Sequence, residues 1–341
     1  MSDEIPPFPP YYPPVAPQNQ TENQTENAAR NAAGDPAGNP APSTNEHHSF
    51  IPNDGRGPQA PLLARRHLSK TAVPISHRRL RHRREIPMLI FGTLITIAGI
   101  VYWVSLVTAK KEVKGVAALV PIIFVLPFLI ALIIRFNYWQ VIGNGVEVTS
   151  KQFGDLHAQY VDVAAEMEME KVPRLYLVNG NGVINAFASK CTVRKSFIVV
   201  YSDLLDIMYE HGDVDGVRFI LAHELGHVKM KHVAIWRFVI SVIPNYLRLG
   251  FSVTRAQEYT ADRVAMHYAP EGAPSMMALY AGKRLYRRVD LTEYFESFEN
   301  HKIGFWSRLS SFMSSHPQGH RRMKALYEMH QKGLDHHGKM L

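Results

Sequence analysis

From Ile86 to Ala109 no side chain carries a charge. At 1.5 Å per residue, a helix of that length reaches across ~30 Å of hydrocarbon. Gly115 to Ile134 repeats the pattern, and its Pro121 and Pro127 are tolerable in a membrane helix. The link between the two, Lys110-Lys111-Glu112-Val113-Lys114, leaves room only for a turn. The expectation is a transmembrane hairpin that returns the chain to the side it came from. The run His77-Arg78-Arg79-Leu80-Arg81-His82-Arg83-Arg84 stands directly before the first span. Arginines next to a span tend to stay inside the cell. The tail before the hairpin and everything after Arg135 are therefore expected on the cytoplasmic face of a cell (inner) membrane, in contact with the lipid bilayer.

The net charge is +8 with histidines neutral. A basic balance can serve nucleic acid or a membrane, and position decides between them. The densest basic run abuts an apolar span and no nucleic-acid-binding motif accompanies it, so no nucleic acid partner is expected. The single cysteine, Cys191, excludes an internal disulfide and lacks the setting of a thiol nucleophile.

Composition divides the chain. Residues 1–60 are rich in Pro, Asn, Gln and Ala and lack the apolar residues a core needs, so they read as a disordered tail. Residues 61–85 form a basic juxtamembrane segment, 86–135 the two spans, 136–330 a catalytic domain and 331–341 a flexible C-terminal tail. Inside the domain, Thr149 to Glu170 has helical spacing, ended by Pro173. Arg174 to Asn179, Val183 to Phe187 and Ser196 to Tyr201 read as strands. Asp213 or Asp215 can cap a helix running through Leu221 to His232. Pro274 to Arg288 reads as a helix, and Phe305 to Phe312 as a short apolar element under the site.

The segment Leu221-Ala222-His223-Glu224-Leu225-Gly226-His227 carries the chemistry. Helical residues four apart share a face, so His223 and His227 can reach one metal ion at ~2.0–2.1 Å. Glu224, one step round, misses the metal yet can touch a water beside it, take its proton and pass it to a leaving amine. The spacing suits peptide hydrolysis with one zinc ion per subunit. A hydrolytic zinc site needs a third protein ligand and an open fourth position. Glu258 and Asp262, also four apart, lie downstream: Glu258 can complete the set, and Asp262 can accept a hydrogen bond from a ligand imidazole. His232, His267 and Glu271 are rival third ligands.

These pieces resemble the HtpX-type peptidases, a branch of the gluzincins that includes the CAAX prenyl endopeptidases. The resemblance rests on Ala222 to Val228, on Glu258-Tyr259-Thr260-Ala261-Asp262, on Asn185-Ala186-Phe187-Ala188, and on Ser315-His316-Pro317 followed by Arg322. It implies zinc on His223, His227 and Glu258, with Glu224 as the catalytic carboxylate. It also implies that Asn185, Ala186 and Phe187 border the substrate cleft, where an extended polypeptide can pair with a strand edge. His316 and Arg322 would stabilise an oxyanion or hold the cleft wall. Many members carry a further pair of spans between the zinc helix and the third ligand. Here that interval is Val233 to Thr254, with Arg237, Pro244, Asn245 and Arg248 inside it. It reads as a kinked hairpin covering the cleft or lying in the interface, and the shortage of spans argues against prenylated substrates.

The expected fold is mostly α with a small β-sheet, an α+β, zincin-like domain behind a transmembrane hairpin and a disordered tail. The expected function is a membrane-anchored zinc metalloendopeptidase acting on membrane or misfolded proteins. The alternative is a catalytically silent relative acting as a membrane scaffold or Pro-rich adaptor.

Overall fold

A computed structural model describes residues 75–115, 118, 120–190, 195–247, 249–299 and 304–339. The expected disordered tail, residues 1–60, and Cys191 lie outside the described residues. After a helical turn, His77–Leu80, come α1 (Glu85–Thr108), α2 (Val120–Asn144), β1 (Val146–Glu147), α3 (Gly154–Glu166), β2 (Arg174–Val178), β3 (Ala186–Lys190) and β4 (Ser196–Tyr201). Then follow α4 (Ser202–His211), α5 (Val214–Lys229), α6 (Ile235–Ile240), α7 (Val242–Tyr246) and α8 (Gly250–Tyr268). The chain closes with α9 (Leu291–Glu299), α10 (Phe305–Met313) and α11 (Gly319–Lys332). The architecture is mostly helical around one four-stranded sheet, the α+β class expected.

The sheet follows from alternation of side chains along each strand. β2 and β4 run parallel with Leu175 opposite Ile198 and Leu177 opposite Val200. Leu175, Ile198 and Val200 face the main core, with Leu156 and Val163 of α3 and Leu221 and Leu225 of α5. Tyr176, Phe197 and Val199 face the other way and are covered by Tyr138, Val141 and Ile142 at the end of α2. The order β1-β2-β4-β3 leaves β3 at an edge, antiparallel to β4 with Ala188 opposite Ile198.

α5 starts where Asp213 accepts a hydrogen bond from the Gly216 amide at 2.9 Å, satisfying one free donor of the first turn. Asp213 is itself held by the hydroxyls of Ser275 and Tyr286, at 2.5 and 2.7 Å. α8 packs closely on α5 because residue 226 has no side chain. A Cβ there would sit 3.1 Å from Val264 Cβ. That approach sets the spacing between the two motif-bearing helices.

α1 is long and apolar enough to cross a membrane. α2 meets that description only as a bent pair, Val120–Leu126 and Phe128–Asn144, at 40°. Ile90, Leu94, Ile97 and Val101 on α1, and Phe124, Phe128, Leu132 and Phe136 on α2, point outward and exposed. The few buried residues of α1 include Glu85 and Thr96. Thr96 donates to the Ile240 carbonyl at 2.7 Å, and Ile243 of α7 packs among Ile95, Ile100 and Trp103. Within the interval Val233 to Thr254, α6 and α7 form a kinked pair of short helices against α1, and α8 begins at Gly250.

Some expectations need correcting. The helix expected over Pro274 to Arg288 is broken into a 3-10 stretch Pro270–Met277, a turn Ala278–Ala281 and a 3-10 turn Tyr286–Arg288. Pro274 lacks an amide proton, and Gly282 takes a φ of +79, which ends the helix. α10 forms as expected, but Phe305 and Trp306 are 69% and 77% exposed rather than tucked under the site. The strand expected over Val183 to Phe187 begins later, at Ala186. Of the segment 331–341, expected as a flexible tail, residues 334 and 336 bond to α8. Arg263 needs carbonyl partners in its buried position, and it takes Leu334 and His336 there together with Leu80 and Arg79.

Candidate metal centre

α5 carries His223, Glu224 and His227 on the side that faces α8 and the β3 edge, and α8 supplies Glu258 and Asp262. His223 Nε2 and His227 Nε2 are 3.2 Å apart. Glu258 Oε2 lies 3.8 Å from the first and Oε1 3.5 Å from the second. Ligands about 2.05 Å from one tetrahedral ion sit about 3.3 Å from each other, so these separations suit a common ion. Two imidazoles and one carboxylate make a borderline donor set of the kind that holds zinc in hydrolytic sites. Among the described residues, His223, His227 and Glu258 form one group able to hold a metal ion.

Charge at the site is tightly arranged. Arg322 grips Asp262 with two hydrogen bonds, Nε to Oδ2 at 2.8 Å and Nη2 to Oδ1 at 2.6 Å. Its Nη1 lies 3.3 Å from Glu258 Oε2. Asp262 Oδ1 in turn lies 3.0 Å from His223 Nδ1, off the ideal hydrogen-bond line. His316 stands at the mouth, 65% exposed, with Nδ1 3.6 Å from Glu258 Oε2. Burial pushes Glu258 upward, but His316, Arg322 and the two imidazoles outweigh it and hold the carboxyl well below its usual range. Burial lowers His227 well below the usual imidazole value, which keeps the ring neutral, as a ligand must be.

Glu224 is buried and lies outside the ligand trio. Burial raises it to about 7; His223 pulls the other way, Glu258 adds to the rise, and the Ala188 amide donates to the charged form. The contact with Ala188 ties the carboxylate to the β3 edge. Asn185, Ala186, Phe187 and Ala188 line one wall of a cavity of about 280 Å³. His223, Glu224, His227 and Glu258 line the opposite wall, and His316 and Arg322 complete it. A second cavity, about 400 Å³, continues from His227 and His316 toward Leu89 and Gly92 of α1 and Pro244 of α7.

Asn185, Ala186, Phe187, His223, Glu224, His227, Glu258, His316 and Arg322 therefore meet at one cleft, with Asp262 behind His223 and Arg322. Of the rival third ligands, His232 touches His227 Nδ1 at 2.9 Å, on the side away from Glu258. His267 and Glu271 stand outside the ligand group. The sequence reading missed the partner of His232, which is Glu85 at 3.3 Å. The position of His232, five residues past His227, marked that ring as a neighbour of the centre but not its partner.

A helix pair presenting two histidines, a carboxylate and a buried glutamate beside a strand edge defines a metallopeptidase-type centre. The model for Peptidase family M48 matches residues 150–251 and 235–330, and the chain belongs to that family. A plastoglobule-localized metallopeptidase 48, chloroplastic, from Arabidopsis thaliana is 36% identical over 162 residues, 41% of this chain and 44% of that protein. A protease HtpX homolog from Helicobacter pylori strain J99 is 26% identical over 142 residues, covering 39% of this chain and 44% of that protein. Its counterpart in Helicobacter acinonychis is 25% identical over the same length. The chain thus matches less than half the length of these curated relatives. No solved structure matches it significantly.

Proposed function

We propose that the chain is a membrane-anchored zinc endopeptidase that hydrolyses peptide bonds in membrane or misfolded proteins. The observation that carries this reading is the convergence of His223 Nε2, His227 Nε2 and the Glu258 carboxylate, with Glu224 buried beside them. A zinc ion held by the three would polarise a carbonyl and make a neighbouring water acidic near neutral pH. The chain's own residues have distinct tasks. Glu224, raised toward 7 by burial, accepts a proton and returns it to the leaving amine. Asp262 orients His223, and Arg322 keeps Asp262 and Glu258 in place. His316, exposed at the cleft mouth, is placed to donate to a developing oxyanion. The outer edge of β3, beside Ala186 and Phe187 and next to Asn185, takes an extended substrate by main-chain hydrogen bonds, which favours loose sequence preference.

Membrane attachment is supported by the length of α1 and by the outward apolar side chains of α1 and α2. The arginines at 78, 79, 81, 83 and 84 favour a cytoplasmic catalytic domain. The cavity between α1, α7 and α8 opens toward His227, so an apolar segment leaving the bilayer has a short path to the centre.

The test uses the purified full chain in detergent, with metal analysis beside cleavage of an unfolded casein-type substrate. The parent should carry about one zinc per chain and cleave. Glu224→Ala should keep the zinc and lose about 10²–10⁴-fold or more of the rate, the usual worth of a general base. Glu258→Ala should lose the metal. A Glu224→Ala protein that cleaves like the parent removes the proposed mechanism. A parent that binds no zinc and cleaves nothing favours the scaffold reading.

A further inference from the structure

His227 turns Nε2 toward His223 and Glu258, which leaves Nδ1 as its second polar face. That nitrogen lies 2.9 Å from Nδ1 of His232. His232 is buried, and its Nε2 lies 3.3 Å from Oε1 of Glu85, a side chain with no exposed surface. Two ring nitrogens this close need one donor and one acceptor. A His227 that ligates through Nε2 carries its proton on Nδ1. His232 then accepts on Nδ1 and holds its own proton on Nε2, which meets the Glu85 carboxylate. One set of tautomers therefore satisfies the series, and the carboxylate at its end selects that set. The His232–Glu85 contact is off the ideal line, as is the His223–Asp262 contact.

Glu85 is fixed from several sides. Thr260 donates to Oε2 at 2.7 Å, Arg81 to Oε1 at 2.5 Å, and Arg237 approaches Oε1 at 3.3 Å. Thr260 lies between Glu258 and Asp262 on α8, so the carboxylate is tied to the helix that carries both. Glu85 is also the first residue of α1. The two histidines are thus supported from opposite directions. His223 leans on Asp262 and Arg322, within the catalytic domain. His227 leans on a residue that begins the apolar helix.

We infer that His232 and Glu85 are positioning residues for the metal centre. Glu85, through His232, holds His227 in its ligating orientation, so that zinc affinity depends on α1 being seated on the catalytic domain. This rests on the assignment of His223, His227 and Glu258 as ligands. A carboxylate behind a ligand imidazole commonly contributes 10–100-fold in metal affinity. Here the same support is delivered through a second imidazole.

The test strips the full chain of metal in detergent and titrates zinc against a competing chromogenic chelator, with the melting temperature of the zinc-free protein beside it. His232→Ala and Glu85→Gln should each weaken zinc by about tenfold or more. The double variant should be no weaker than His232→Ala, because Glu85 acts through that ring. Thr260→Val, which removes one of several bonds that fix Glu85 and leaves its carboxylate present, should lower the melting temperature and weaken zinc by less than Glu85→Gln. Parent-like affinity in His232→Ala overturns the inference. So does a full Glu85→Gln effect in the His232→Ala background, or equal weakening by Thr260→Val. If Glu85→Gln does not fold, His232→Ala decides alone. Failure of the underlying ligand assignment looks different: Glu258→Ala then binds zinc as tightly as the parent.

Discussion

At the residue scale the most exposed weakness of the centre is Arg322. It is 8% exposed and faces two buried carboxylates, Asp262 at 2.6 Å and Glu258 at 3.3 Å. Removing one side of a buried pair leaves the other charge unsolvated, which costs about 3–5 kcal/mol. Arg322→Leu is therefore expected to lose about that much unfolding free energy in the zinc-free protein. Arg322→Lys keeps the charge but not the two-pronged grip, and should fall between it and the parent. Denaturant unfolding of the three proteins checks the order; a Lys variant no better than Leu would shift the credit from charge to geometry. The Arg322–Asp262 pair also marks how far single residues were legible. His223, Glu224 and His227 could be read because four-residue spacing on a helix is a local property. Asp262 and Arg322 were noticed for separate duties, since nothing in a sequence separation of 60 says that two side chains will meet. Glu85 carried no signal at all, being an acidic residue among arginines before a span.

At the scale of elements, the pair α5 and α8 sets the distance between the histidines and Glu258, and Gly226 sets the distance between the helices. A Cβ at 226 would lie 3.1 Å from both Cβ and Cγ1 of Val264 and 3.6 Å from the Ala261 Cα. Val264 is 1% exposed and has little space to move. Gly226→Val should therefore cost about 1–3 kcal/mol by overpacking and weaken zinc as Glu258 moves outward. Gly154→Ala, on α3 with nothing within 4 Å of the added carbon, should be close to neutral. Melting curves and zinc titrations of both variants test this; equal losses would mean that the closeness at 226 is incidental. Elements were legible where their signal is contained in them. β4 was read over its true limits because SFIVVY is buried on both faces in the middle of the sheet. α5 was read from a cap at Asp213 or Asp215 and from its apolar period. The segment after α8 was misread because its shape depends on neighbours. Gly272 has the Asp215 carbonyl only 1.9 Å from where a Cβ would be, so the chain there is bent to fit α5 rather than its own helical preference.

At the scale of the whole molecule, α8 works as a hub between the segment before α1 and the end of the chain. Arg263 donates to carbonyls at 79 and 80 on one side and at 334 and 336 on the other. His82 lies in the same seam: its amide donates to Thr260 Oγ1 at 2.9 Å, and its ring stacks on Tyr259 and meets the edge of His337. Burial lowers His82 to about 4, and the charges of His337, Arg263 and Arg84 press the same way. Burial, then Arg263 and Arg83, lowers His337 to about 4 as well. Both rings are thus harder to protonate in the folded chain than in the unfolded one, where histidine titrates near 6.5. Their contribution is fully present above about pH 6.5 and is lost as pH falls from there toward 4, because the unfolded chain then binds more protons. The zinc-free protein should melt at progressively lower temperature between about pH 7 and about pH 5. His82→Asn can keep the ring's acceptor for the Arg84 amide and does not titrate, so its melting temperature should fall less over the same interval. The difference in slope isolates the seam from the acid sensitivity of the metal-binding side chains, which both proteins share. Parallel slopes would mean that the seam opens before either ring is charged, so that the two rings contribute nothing to the acid sensitivity.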